Sequence, residues 1–282
     1  MKQIIFSICV LSASISTAQT QMSCCTKPAS SATTMFAMLG DDKEFVSSHL
    51  EPKPFKLQGQ LGKDISFKTS DGKEGYAYEI KAATLTNNYV IVIHEWWGLN
   101  DYIKQEAERI YNELGNVNVI ALDMYDKKVA TNRDSAGKYM NSLSTERGEA
   151  IVKGAISYIG AKANMATIGW CFGGGWSCQA SLLAGKQAKA CVMYYGMPEQ
   201  KKERLKNLNA PVLFVWAEKD QWINKEVVAK FETNMKALNK SLTVNSYEAD
   251  HAFANPSNPK YNKSFADDAM KTSLEFIKAN LK

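Results

Sequence analysis

The chain has 282 residues, 45% apolar and 22% charged, enough to bury one large core and unlike a disordered segment or a membrane bundle. Its net charge of +5 comes mostly from lysines scattered through the second half, without the basic run and interleaved aromatics that a nucleic-acid surface needs. No internal repeat or long linker divides it, so one domain behind an N-terminal leader is expected.

In chain order, residues 1–18 come first. Lys2 gives a positive start, residues 4–15 are a short apolar run, and Ser16, Thr17 and Ala18 are the small residues a signal peptidase reads. A signal peptide cut before Gln19 is expected, and the run is too short to span a bilayer. The protein is therefore expected to be periplasmic or secreted, with no membrane association after cleavage. Removing Cys9 leaves five cysteines, and an odd number requires at least one free thiol. Cys24 and Cys25 are adjacent in a polar stretch, where a bond between them would be strained, so no disulfide is assigned. Cys178 and Cys191 sit in apolar surroundings and read as small buried hydrophobes. Residues 19–54 are rich in Ser, Thr, Pro and Lys around one apolar island at 35–39, and read as an extension, either packed on the domain or mobile. The folded domain is expected over 55–282.

Within it, short apolar runs alternate with helical periodicity, the pattern of an α/β fold with a doubly wound, mostly parallel sheet flanked by helices. Strands are predicted at 65–69, 75–80, 89–94, 117–122, 166–169, 188–195, 212–217 and 242–247. Helices are predicted at 101–114, 133–143, 146–161, 174–183, 225–238 and 264–279. The first two strands flank Ser70-Asp71-Gly72-Lys73 and read as an antiparallel hairpin at the sheet edge. The later ones read as unbroken apolar runs covered on both faces.

The fifth strand runs into Gly169-Trp170-Cys171-Phe172-Gly173 and then a helix. Gly-X-Cys-X-Gly between a strand and a helix is the nucleophile turn of α/β-hydrolases, with sulfur in place of the usual hydroxyl. Side chains two residues either side of the nucleophile would collide with the neighbouring strand and helix, which is why glycine stands there. The following helix aims its N-terminal N–H groups and positive dipole end at the sulfur, favouring thiolate and a developing oxyanion. The glycine spacing is not that of a dinucleotide fingerprint, and no Lys-Ser/Thr follows.

Two later strand ends supply partners. One runs into Glu218-Lys219-Asp220 and the other into Glu248-Ala249-Asp250-His251, giving the α/β-hydrolase order of nucleophile, acid and histidine. Asp220 lies further into its loop than Glu218 and is the expected acid. In this reading His251 takes the Cys171 proton, Asp220 fixes the imidazole tautomer, and the thiolate attacks an acyl carbon to form a thioester that water hydrolyses. The oxyanion needs two N–H donors, one from Phe172 and one from the loop after strand 89–94.

That loop reads His94-Glu95-Trp96-Trp97-Gly98. With Glu-X-X-Gly there, Gly-X-Cys-X-Gly at the nucleophile, a post-strand Asp and finally Asp250-His251-Ala252-Phe253, the chain from about Gly59 onward resembles the dienelactone hydrolase family. The resemblance implies a hydrolase of esters or lactones. It also implies that Glu95 contacts the resting cysteine and keeps it protonated until substrate arrives, and that the Trp96 N–H completes the oxyanion hole. Members that cleave dienelactone hold the substrate carboxylate with arginines, one of them four residues past the histidine. Here that position is Asn255, which cannot form a bidentate charged pair, and Arg133 is the candidate for the other arginine. Dienelactone itself is therefore not the expected substrate. Trp96, Trp97, Tyr125, Trp222 and Phe253 fall near loops of the catalytic face and suit an apolar or aromatic acyl group.

No cofactor is expected, and the histidines and cysteines do not fall at metal-ligand spacing. A thiol redox role lacks a C-x-x-C pair, and Cys178 faces away along the helix from Cys171. The competing reading is a non-catalytic binding protein on the same scaffold. Turnover of an activated ester separates the two.

Overall fold

The computed structural model describes residues 31–281. Eight strands form one sheet: β1 (Lys63–Lys68), β2 (Glu74–Ile80), β3 (Asn88–Ile93), β4 (Asn118–Asp123), β5 (Asn164–Trp170), β6 (Ala188–Tyr194), β7 (Val212–Ala217) and β8 (Leu242–Tyr247). The order is β1-β2-β4-β3-β5-β6-β7-β8, with β1–β2 and β2–β4 antiparallel and every later pair parallel. This is the predicted doubly wound α/β-hydrolase sheet, with the hairpin on its edge. Val90 to Ile93 in β3 and Val119 to Leu122 in β4 are buried throughout, as unbroken apolar strands must be when helices cover both faces.

The opposite edge corrects one expectation. The sequence predicts a β8 buried on two faces, but Thr243 and Ser246 are exposed and only Tyr247 is buried. With β7 on one side alone, the strand tolerates the polar residues its sequence carries.

The helices are α1 (Ala32–Ala37), α2 (Lys43–Ser48), α3 (Asp101–Leu114), α4 (Arg133–Ser142), α5 (Thr145–Ile159), α6 (Phe172–Ala184), α7 (Lys202–Leu205), α8 (Lys225–Ala237) and α9 (Lys263–Asn280). Asn100, Asn132, Ser144, Asn224 and Asn262 start α3, α4, α5, α8 and α9 by accepting a first-turn amide. The start of α6 has no such cap, so its first N–H groups are left for something else. Among the described residues no helix is long and apolar enough to cross a membrane.

Residues 31–49 pack on the sheet domain. Ser31 caps α1, Asp42 caps α2, and Phe36 and Phe45 are buried in the core. The apolar island at 35–39 falls in α1 and the turn after it, whereas the polar stretch that becomes α2 showed no periodicity. The predicted signal peptide, Cys24 and Cys25 lie outside the described residues.

Candidate active site

β5 ends at Trp170 and α6 begins at Phe172, so Cys171 makes the turn alone, at φ 56° and ψ −117°. A non-glycine residue is held in that region only by its surroundings. Here the Cys171 N–H donates to Tyr194 O at 3.0 Å, and the Cys171 carbonyl accepts from the N–H groups of Gly174 and Gly175. A Cβ on Gly169 would lie 2.2 Å from the Gly173 carbonyl oxygen, and one on Gly173 would lie 2.2 Å from that of Ile93. Both flanking positions therefore admit only glycine, for the steric reason the motif suggested.

Asp220 and His251 arrive from the turns after β7 and β8. His251 Nδ1 lies 2.5 Å from Asp220 Oδ2, and His251 Nε2 lies 3.2 Å from Cys171 Sγ. Asp220 Oδ1 accepts the amides of Trp222 and Ile223, both at 2.9 Å, so the carboxylate cannot swing away. Glu218, the alternative acid, is exposed. All three site residues are buried, with Cys171 at 0% exposure. Burial disfavours a charged Asp220, but His251 and the two amides hold its pKa below the ordinary value. Burial also opposes charge on His251, yet Asp220 and Cys171 raise it well above the imidazole range. Burial raises the Cys171 thiol, against the pull of His251 and the Phe172 N–H. The two groups pull on each other across one hydrogen bond, so sulfur and imidazole share a proton and titrate as a pair.

The loop after β3 is organised by His94. Its Nδ1–H donates to Glu95 O at 2.5 Å and its Nε2 accepts the Met124 N–H at 3.0 Å, a neutral tautomer that burial favours by lowering the pKa to about 4. The ring stacks on Phe172 at 5.7 Å. The Glu95 carboxyl is buried, which pushes its pKa up to about 7, and it accepts Asn255 Nδ2–H at 2.8 Å. Asn255 Oδ1 takes the N–H and hydroxyl of Ser257. The residue standing where an arginine was sought is thus committed to Glu95 and its own loop. Among the described residues Glu95 makes no hydrogen bond to Cys171; a negative charge on it would push the thiol up.

The aromatic candidates divide. Trp96 meets Trp97 edge to face at 5.2 Å, Trp222 lies 6.0 Å from the His251 ring, and Tyr125 packs on Phe172 at 5.3 Å. Phe253 sits behind the site, against Tyr195, Tyr247 and Phe265. Arg133 donates to the Ser47 carbonyl at 3.4 Å, tying α4 to α2. Among the described residues, the hydroxyls of Tyr125 and Tyr195 and the indole N–H of Trp96 are buried without a hydrogen-bond partner.

Sequence reasoning missed the contribution of α2. Phe45 is fully buried and packs edge-on against Trp96 at 5.7 Å and Trp222 at 5.1 Å. His49 follows it by one helical turn, and its Nε2 lies 3.8 Å from Cys171 Sγ. The His49 ring sits 4.4 Å from Trp96 and 5.3 Å from His251, and its Nδ1 lies 2.7 Å from the Phe45 carbonyl. Burial and the neighbouring His251 lower its pKa to about 3. The signal available was Phe45 and His49 at i and i+4, one apolar and one functional side chain on the same helix face. Beside the triad a cavity of about 180 Å³ is lined by Ser48, His49, Trp222 and His251, among others. A larger hollow of about 480 Å³ at the β1–β2 edge touches none of these residues.

The chain is similar to known proteins in sequence and in fold. The model of the dienelactone hydrolase family matches residues 74–281. Protein usf of Aquifex pyrophilus is 32% identical over 208 residues, covering 68% of this chain and 88% of that protein. Carboxymethylenebutenolidase 1 of Cupriavidus pinatubonensis is 25% identical over 231 residues, covering 77% and 97%. In fold, the chain is similar to a dienelactone hydrolase-like promiscuous phosphotriesterase from metagenomic libraries, with a TM-score of 0.69 at 16% identity over 79% of this chain and 100% of that one.

Proposed function

The chain belongs to the dienelactone hydrolase family and is an ester or lactone hydrolase; from that premise we propose that it works through a Cys171–His251–Asp220 triad and a thioester acyl-enzyme. The observation that carries the proposal is the line of two contacts, 3.2 Å from sulfur to imidazole and 2.5 Å from imidazole to carboxylate. As the sulfur attacks the acyl carbon, His251 Nε2 takes the thiol proton and Asp220 stabilises the imidazolium. The N–H groups of Phe172 and Trp96 hold the oxyanion. Its collapse breaks the ester C–O bond, and His251 returns the proton to the leaving alkoxide. Water then attacks the thioester with His251 as base, releasing the carboxylic acid and restoring the thiol.

Trp96, Trp97, Tyr125 and Trp222, without Phe253, favour an apolar or aromatic acyl group over a free carboxylate, because Asn255 is engaged with Glu95 and Arg133 with α2. Residues 1–18 are proposed as a signal peptide that exports the enzyme to the periplasm or medium. Mature protein beginning at Gln19 in the extracytoplasmic fraction would support this.

Cys171→Ala is expected to lower turnover of 4-nitrophenyl acetate by at least about 10³-fold with unchanged circular dichroism. Rapid quenching of the parent enzyme should trap an acyl group on the Cys171 peptide. Parent-level hydrolysis by the alanine variant would remove the triad mechanism.

A further inference from the structure

We propose that His49, Cys171 and His251 form a site for a thiophilic divalent cation of the Zn²⁺ type, and that filling it pins α2 over the nucleophile and stops hydrolysis. The regulatory consequence rests on the triad reading; the site itself does not.

The ligand atoms converge. Nε2 of His49, Sγ of Cys171 and Nε2 of His251 all lie within 4.8 Å of one another, and all three residues are buried. The sulfur–nitrogen separations are 3.8 Å to His49 and 3.2 Å to His251. With Zn–S near 2.3 Å and Zn–N near 2.0–2.1 Å, these correspond to N–Zn–S angles of roughly 120° and 95°, either side of the tetrahedral value.

Both imidazoles are turned the right way. The His49 Nδ1–H is directed to the Phe45 carbonyl at 2.7 Å and the His251 Nδ1–H to the Asp220 carboxylate at 2.5 Å. Each ring therefore turns its Nε2 toward the sulfur, and both nitrogens offer a lone pair once the proton shared by Cys171 and His251 is lost. A carbonyl or carboxylate on the far nitrogen is the arrangement that orients metal-bound histidines. One thiolate and two imidazoles select Zn²⁺ or a similarly soft ion over Mg²⁺ or Ca²⁺. Phe45, packed edge-on against Trp96 and Trp222, makes an apolar wall beside the three groups. The cavity that His49 and His251 both line has room for a water as fourth ligand.

Acyl transfer does not account for His49. His251 already serves as the base, and an unprotonated Nε2 cannot donate to an oxyanion. Metal binding does account for it. Zn²⁺ displaces the Cys171 thiol proton to solvent and forms a Zn–S bond with the electron pair that would attack substrate. Since His49 is the residue that ends α2, the same bond set holds the helix in place.

The test uses the full-length mature chain with Zn²⁺, and Co²⁺ as spectroscopic probe. One Co²⁺ per chain should bind with a sulfur-to-cobalt charge-transfer band that Cys171→Ser abolishes. His49→Ala and His49→Gln should each weaken Co²⁺ and Zn²⁺ binding by at least about 100-fold. Zinc should inhibit ester turnover in the parent, with the inhibition curve of each His49 variant, referred to its own metal-free rate, shifted by the same factor. Two substitutions of different size guard against loss of fold, which thermal unfolding reports. Cobalt bound without the charge-transfer band, or bound equally by parent and both variants, overturns the site. The triad reading fails separately, if Cys171→Ala keeps its turnover while the cobalt band is present in the parent.

Discussion

His94 and Glu95 are adjacent and buried, and they respond to acid with opposite sign. His94 has its pKa lowered to about 4 in the fold, so the unfolded chain binds that proton first and stability is lost as pH falls from 6.5 toward 4. Glu95 has its pKa raised to about 7, so the folded chain binds first and stability is gained as pH falls from 7 toward 4.5. Each is worth about 3 kcal/mol at full extent, and the two largely cancel. Urea midpoints at pH 7 and pH 5 should therefore separate the variants. Glu95→Gln should lose stability on acidification more steeply than the parent, and His94→Gln less steeply. Equal slopes would show that the pair does not titrate as described. At this scale the nucleophile, acid and histidine could be read from the chain because each follows an apolar strand at its carboxyl end. The Asn255–Glu95 bond could not be read, since it joins two loops whose side chains meet only once the sheet is formed.

α2 is the element on which most depends and which the sequence announced least. Its six residues carry one large apolar side chain, Phe45, among Lys43, Glu44 and two serines, too little to give a helical stripe. The strands were plain because two-sided burial demands unbroken apolar runs. β8 misled because its edge position relaxes that demand. α2 is also held by few contacts, chiefly the rings around Phe45, so it should open before the sheet does. Phe45→Ala should weaken that docking by about 3–5 kcal/mol. The expected signature is faster alkylation of Cys171 and faster hydrogen exchange over residues 43–48, with β3 and β5 still protected. Unchanged alkylation would mean that α2 does not govern access to the sulfur.

Across the whole molecule, the long-range pairing explains why the approach of His49, Cys171 and His251 is not visible in the spacing of histidines and cysteines. His49 and Cys171 are 122 residues apart, and Cys171 and His251 are 80 apart, so no local motif relates them. The overall architecture was visible because alternation of strand and helix is a local pattern repeated along the chain. The same separations set an order of assembly. Helix α2 is encoded early, yet the surface that receives it is made by Trp96, Trp222 and His251, which exist together only after β3, β7 and β8 have joined the sheet. Pulse alkylation during refolding should find Cys178 and Cys191, on α6 and β6 inside the sheet layer, protected before Cys171. On this order the reactive sulfur is the last of the three to be covered while the polypeptide folds. Its chemical vulnerability belongs to that interval, which ends when a segment made early closes over a surface completed late.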